Sequence, residues 1–149
     1  MQYYEDVAIG ETAEFGEYQF DREEIIDFAE LYDPQSFHTD EEAVRDSAFG
    51  ELVASGGHTA AVCMRMLVDG HLRDQAAMDA RGVDELRWLQ PVKPGDTLHI
   101  RTETVDKRLS DSDLHRGYVD TKLEGVNQDD AVVISWIGLG MMVVRDLDV

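Results

Sequence analysis

Ser55-Gly56-Gly57-His58-Thr59-Ala60-Ala61-Val62-Cys63-Met64-Arg65-Met66-Leu67-Val68 is the stretch on which the fold turns. Its residues are apolar nearly all round a helix, and a helix of that kind is buried. Polar residues dominate only from Asp69 onward, so the pattern predicts a long helix from Ser55 to about Ala80 with its first half inside. A buried helix needs a wrapping layer, and its flanks supply strands. Downstream come Val83–Leu89, the turn Pro91–Asp96, Thr97–Val105 with Leu98, Ile100, Thr102 and Thr104 alternating against polar partners, Gly117–Val126, and Ala131–Val144 after an Asn127–Asp130 turn. Upstream, Thr12–Phe20 alternates as a first strand. One strand, helices, a buried helix and then a run of antiparallel strands make an α+β domain whose sheet curls around a central helix. At 149 residues, without repeat, linker or low-complexity tract, residues 1–149 form a single domain.

Working outward, the next informative stretch is Leu31-Tyr32-Asp33-Pro34-Gln35-Ser36-Phe37-His38-Thr39-Asp40. Asp21 reads as an N-cap, with Glu24 completing a capping box. Ile25, Ile26, Phe28, Ala29 and Tyr32 then give one apolar helix face, which Pro34 ends by pushing Asp33 out of the α region. Thr39 with Glu42, or Asp40 alone, caps another short helix through about Ser47, so His38 sits in a rigid loop between helix ends. A carboxylate and an imidazole held there suit general acid–base work. The plainer alternative is an Asp-Pro turn with a packed histidine beside it.

Ser55 can cap the buried helix. His58 rather than Glu stands three residues on, so no capping box occupies the remaining N–H groups. Glycines in the first turn admit a ligand close to the backbone, and the positive helix end suits a carbonyl gathering negative charge. A plain glycine-rich helix start is the alternative. His58 either lines the pocket or is a satisfied core histidine.

Asp33-x4-His38 followed by Phe49-Gly50-Glu51-Leu52-Val53-Ala54-Ser55-Gly56-Gly57-His58-Thr59 resembles the MaoC-like acyl dehydratases, the group that contains the (R)-specific enoyl-CoA hydratases. Asp6–Glu11 and Gln90–Leu98 agree with it, so the resemblance spans essentially the whole chain. It implies a hot-dog fold, a homodimer, and reversible hydration of a 2-enoyl thioester, an enoyl-CoA, to the (R)-3-hydroxyacyl thioester. Asp33 and His38 would activate the water, and the Gly56 N–H would polarise the thioester carbonyl. Ser55, Gly57 and His58 would contact substrate. No metal is implied, and no cofactor beyond the coenzyme A of an acyl-CoA substrate, whose nucleotide end would draw on Arg65, Arg87, Lys93, Lys107 or Arg108. The sequence departs from the better-known hydratases in two places: Pro34-Gln35-Ser36 replaces their Asn-Pro, and Ser55-Gly56 replaces His-Gly. The alternatives are a hot-dog acyl-CoA thioesterase and a non-catalytic acyl-thioester binding subunit. Thioesterases of this fold commonly use a carboxylate on the central helix, and Gly56–Met66 has none.

Composition narrows the class further. The lone Cys63 excludes an intrachain disulfide and a cysteine zinc site, and its apolar neighbours make it a buried hydrophobe. The acidic Met1–Asp6 is no signal peptide, and Ala131–Val144 is too short to span a bilayer, so a cytoplasmic protein is expected. A net charge of −19, from 32 acids against 13 bases, repels nucleic acid. Such a surface also repels itself in dilute buffer, and strong salt screens that repulsion. We therefore expect a halophilic protein whose denaturation midpoint rises from low to molar KCl. A flat or falling midpoint would remove this reading.

Overall fold

The computed structural model describes residues 1–45, 47 and 49–145. Five antiparallel strands form one sheet in the order β1-β3-β4-β5-β2. They are β1 (Thr12–Gln19), β2 (Gly82–Trp88), β3 (Thr97–Leu109), β4 (Arg116–Val126) and β5 (Val132–Val143). Among the described residues four α-helices accompany them, α1 (Arg22–Tyr32), α2 (Ser36–Thr39), α3 (Glu41–Val44) and the long α4 (Gly56–Gly70). The sheet wraps α4, which is the hot-dog arrangement expected.

Register follows from alternation. Leu98, Ile100 and Thr102 of β3 point inward, and Leu123 of β4 opposes both Thr102 and Trp136 of β5. Leu98, Ile100, Leu123 and Trp136 meet Val62, Cys63 and Met66 of α4 and Ile25 of α1 in the main core. Tyr4, Val7, Val119, Met142 and Val144 close a second, smaller cluster. The sheet bends over the helix at a bulge between Phe15 and Tyr18. Gly16 at that bulge has φ +90°, a conformation that costs other residues strain. Burial pushes the Cys63 thiol up to about 12, in keeping with an inert core residue.

Several local expectations are corrected. The long helix stops at Gly70, not Ala80. A Cβ on Gly70 would lie 2.3 Å from Cδ2 of Phe15, and the chain beyond it serves the sheet instead. Met78 and Arg81 donate their N–H groups to Met141 and Leu139 of β5, each at 2.8 Å. The first half of α4 is not buried all round: His58, Thr59, Val62, Cys63 and Met66 are, but Gly57, Ala61 and Met64 are exposed. The short helix expected after Asp40 is α3, capped by Asp40 through Glu42 and Ala43 N–H as expected but ending at Val44, and the loop expected before it holds a further helix, α2. Asp46, within the span expected to be helical, lies outside the described residues. His38 belongs to α2 itself. Tyr32, expected on the apolar face of α1, is largely exposed. No described helix is long and apolar enough to cross a membrane.

Candidate active site

Asp33 is the C-cap of α1, its N–H bonded to Ala29 O at 2.8 Å. Pro34 forbids another turn, so the carboxylate leaves the helix toward the start of α4. Both of its oxygens are held. Gln35 donates Nε2–H to Oδ1 at 2.6 Å, and Ser55 donates its hydroxyl to Oδ2 at 2.7 Å. These donors, Gln35 first and Ser55 second, together with the nearby His38, hold the Asp33 carboxyl below its ordinary value despite partial desolvation.

The buried ring of His38 is fixed from behind. Its Nδ1 lies 2.7 Å from Val53 O. A carbonyl only accepts, so Nδ1 carries the proton and donates it. Nε2 is left for proton exchange, 3.3 Å from Asp33 Oδ2.

Ser55 does not cap α4 with its side chain, because Asp33 takes its hydroxyl. Its carbonyl instead accepts from His58 N–H and Thr59 N–H at 3.0 and 3.1 Å. Among the described residues, no protein acceptor lies opposite the Gly56 or Gly57 N–H. Trp88 covers this turn, donating Nε1–H to Gly56 O at 2.9 Å. A Cβ on Gly56 would fall 2.6 Å from Cε2 of Trp88, so only glycine fits there. Gly57 has ordinary space around it.

Asp33, His38, Gly56, Gly57 and Thr59 share one cavity of about 490 Å³ with Phe37, Phe49, Trp88, Leu89 and Pro91. A few polar groups thus stand within a largely apolar lining, the pattern of a small-molecule site. A groove of about 540 Å³ over Glu14, Arg101, Glu103, Lys122 and Glu124 holds none of these groups. No described cluster of three or more His, Cys, Asp or Glu could hold a metal.

The structure corrects two expected substrate contacts. Ser55 is 2 % exposed and meets the cavity only through Asp33. His58 is 3 % exposed and faces the core. It stacks on Phe28 (centroids 4.7 Å apart) and lies near Phe20, with Nε2 3.0 Å from Glu24 Oε1. Glu24 also accepts the Tyr18 hydroxyl, so it is not a capping-box residue. Burial would raise the Glu24 carboxyl, but the Tyr18 and His58 donors outweigh it and hold it low. None of Arg65, Arg87, Lys93, Lys107 and Arg108 lines the cavity. Arg65 pairs with Asp69, Lys93 with Glu51, and Lys107 donates to the Tyr4 and Val7 carbonyls. Sequence reading missed Trp88 and Gln35. A tryptophan ending a strand just before a proline turn was the available signal for the first.

Comparison with known proteins identifies the family and the fold. A profile of the MaoC like domain matches residues 5–127. The crystal structure of a MaoC-like dehydratase from Rhodospirillum rubrum is 37 % identical, covering 99 % of this chain and 100 % of that one with a TM-score of 0.91. An uncharacterized Bacillus subtilis protein, YdeM, is 25 % identical over 129 residues, 87 % of this chain and 90 % of its own length. The unliganded R-hydratase PhaJ1 from Pseudomonas aeruginosa shares the fold at 20 % identity, with a TM-score of 0.70 over 99 % of this chain and 92 % of that one.

The lowered Asp33 pKa has a definite sign. Its contribution to stability is complete above the ordinary carboxylate range and is lost as pH falls through the lowered folded value. Removing the leading donors should reverse the shift. In Gln35→Ala and in Ser55→Ala, carboxyl NMR should find Asp33 titrating at higher pH than in the wild type. An unmoved or lower midpoint in both variants would show that the two bonds do not stabilise the anion.

Proposed function

The chain belongs to the MaoC-like dehydratase family, and from that premise we propose that it adds water reversibly across the 2,3 double bond of an enoyl thioester. The observation that carries this reading is the shared cavity: an anchored carboxylate, an imidazole with one free nitrogen and two unpartnered helix-start N–H groups all line it. Asp33 and His38 Nε2 both accept hydrogen bonds, so a water between them can donate to each. Its oxygen attacks C3 while a proton passes to this pair. The electrons of the double bond move to the carbonyl oxygen, where the Gly56 and Gly57 N–H groups meet the developing enolate. A proton then returns to C2 from the same pair. Because Asp33 and His38 belong to one short segment, both additions come from one side of the substrate. The absence of a carboxylate from Gly56 to Met66 favours hydration over thioester hydrolysis. Coenzyme A is the proposed thioester carrier, and the (R)-3-hydroxyacyl thioester the product.

The same proposal includes a homodimer. Gly57, Ala61 and Met64 leave an apolar stripe on α4 uncovered. β2 ends the sheet, and Val83 and Trp88 on it and Leu89 just beyond it are 46, 53 and 55 % exposed. A free strand edge beside an apolar stripe is a surface that a second copy would cover. Sedimentation in molar salt should give twice the mass of one chain. A monomer at micromolar concentration would refute the dimer.

Crotonyl-CoA in molar KCl tests the chemistry. Loss of the enoyl absorbance without release of thiol is expected. Asp33→Asn and His38→Ala should each slow it by about 10²–10⁴-fold with the fold intact by circular dichroism. Thiol release would mean a thioesterase, and silence in both assays a binding subunit.

A further inference from the structure

We infer that Trp88 is a positioning residue, fixing and polarising the Gly56–Gly57 peptide so that the Gly57 N–H serves as a donor to the thioester carbonyl. This rests on the hydratase reading of the site. A trans peptide is rigid, with its C=O and N–H antiparallel, so holding one end of the unit orients the other. Trp88 Nε1–H holds Gly56 O at 2.9 Å. The N–H at the far end of that unit is Gly57's, which has no described protein acceptor and belongs to a residue lining the cavity. Hydrogen bonds in a chain polarise one another, so a donor at the carbonyl strengthens the N–H as a donor in turn. The preceding peptide is treated the same way by the helix itself, since Ser55 O accepts from two N–H groups. The Gly56 carbonyl accepts within the helix as well, and Trp88 adds to it a donor from outside the helix, which the Ser55 carbonyl lacks among the described residues.

The strand is built to aim this side chain. Leu86 packs against the core, and Trp88, two residues on, shares its face. That face is set by a register shift between Asp84 and Arg87 in the pairing with β5. Within the shift Glu85 has φ 55°, a left-handed conformation that is strained for a residue with a side chain. The strain yields an indole more than half exposed at a sheet edge, its one polar atom committed to the helix start and its ring close enough to exclude any Cβ from Gly56. A tryptophan serving only as an apolar wall would need neither the bond nor the close approach.

Trp88→Phe keeps an aromatic ring over Gly56 and removes the donor. We expect kcat with crotonyl-CoA to fall about tenfold, less than the loss of an oxyanion donor outright, with KM changed less than about twofold. In the infrared difference spectrum of bound, carbonyl-labelled crotonyl-CoA, the wild type should shift the thioester C=O stretch below its free position. The variant should shift it less. The Gly57 amide nitrogen resonance should also move between the two proteins without any ligand. A raised KM at unchanged kcat, or an identical carbonyl band, would make Trp88 a contact surface only and overturn the inference. A wild type that binds and polarises the thioester without hydrating it would sink the proposed reaction alone, since the carbonyl band still reads the effect of Trp88. A chain that binds no enoyl thioester would overturn both.

Discussion

One hydrogen bond, from the Ser55 hydroxyl to Asp33 Oδ2 at 2.7 Å, joins the two halves of the site. Its donor begins the central helix and its acceptor ends α1, so it fixes where a carboxylate stands relative to the helix-start amides. A bond to a charged group of this kind contributes about 1.5–3 kcal/mol. It also has a consequence for the helix: a serine turned toward Asp33 cannot cap its own first turn, and the Gly56 and Gly57 N–H groups stay open. A second tie lies behind the first. His58, one turn into α4, bonds Glu24 and stacks on Phe28, both of α1. The two helices are thereby locked along their contact, and Asp33 inherits its position from that lock.

The second tie carries a cost. With Nε2 facing a carboxylate, the His58 ring presents Nδ1 to the core, and this buried atom has no hydrogen-bond partner among the described residues. An unmet buried polar group costs about 1–3 kcal/mol. A leucine would fill the same space without that penalty, but it could not bond Glu24. The orphaned nitrogen is tolerated for the sake of the carboxylate on the ring's other side, which also receives the Tyr18 hydroxyl from β1. Sheet, α1 and α4 therefore meet at one acid.

How much of this was legible depends on how local each cause is. The alternation of Leu98, Ile100 and Thr102 and the apolar run of α4 are written in consecutive residues, and they specified the sheet and its central helix. Asp33 and His38 were legible because Pro34 forces a turn next to them. Glu24 was misread because a capping box is a local pattern, whereas its partners Tyr18 and His58 come from a strand and another helix. Ser55 was misread for the same reason, its acceptor lying in α1 rather than in its own turn. The end of α4 at Gly70 is set by the Phe15 ring and by carbonyls of β5 awaiting donors, none of which a helical period reveals. Trp88 acts across 32 residues of sequence, and its role depends on a register shift that alternation alone does not show.

Charge connects the fold to the proposed chemistry. A chain of net −19 presents a negative field to any anionic substrate, and a thioester carried on coenzyme A is such a substrate. The bases that could offset this field are engaged elsewhere, Arg65 with Asp69 and Lys93 with Glu51, and none of the candidates lines the cavity. At physiological ionic strength the field reaches about 8 Å into solvent, and at molar salt about 3 Å. The cavity lining itself, with Phe37, Phe49, Trp88 and Leu89, offers apolar contact that salt does not screen. Molar salt thus removes the long-range repulsion and leaves the short-range apolar attraction, while the bond between Ser55 and Asp33, made at contact distance, is affected least. The same screening that would stabilise the acidic surface would also open the site to its substrate.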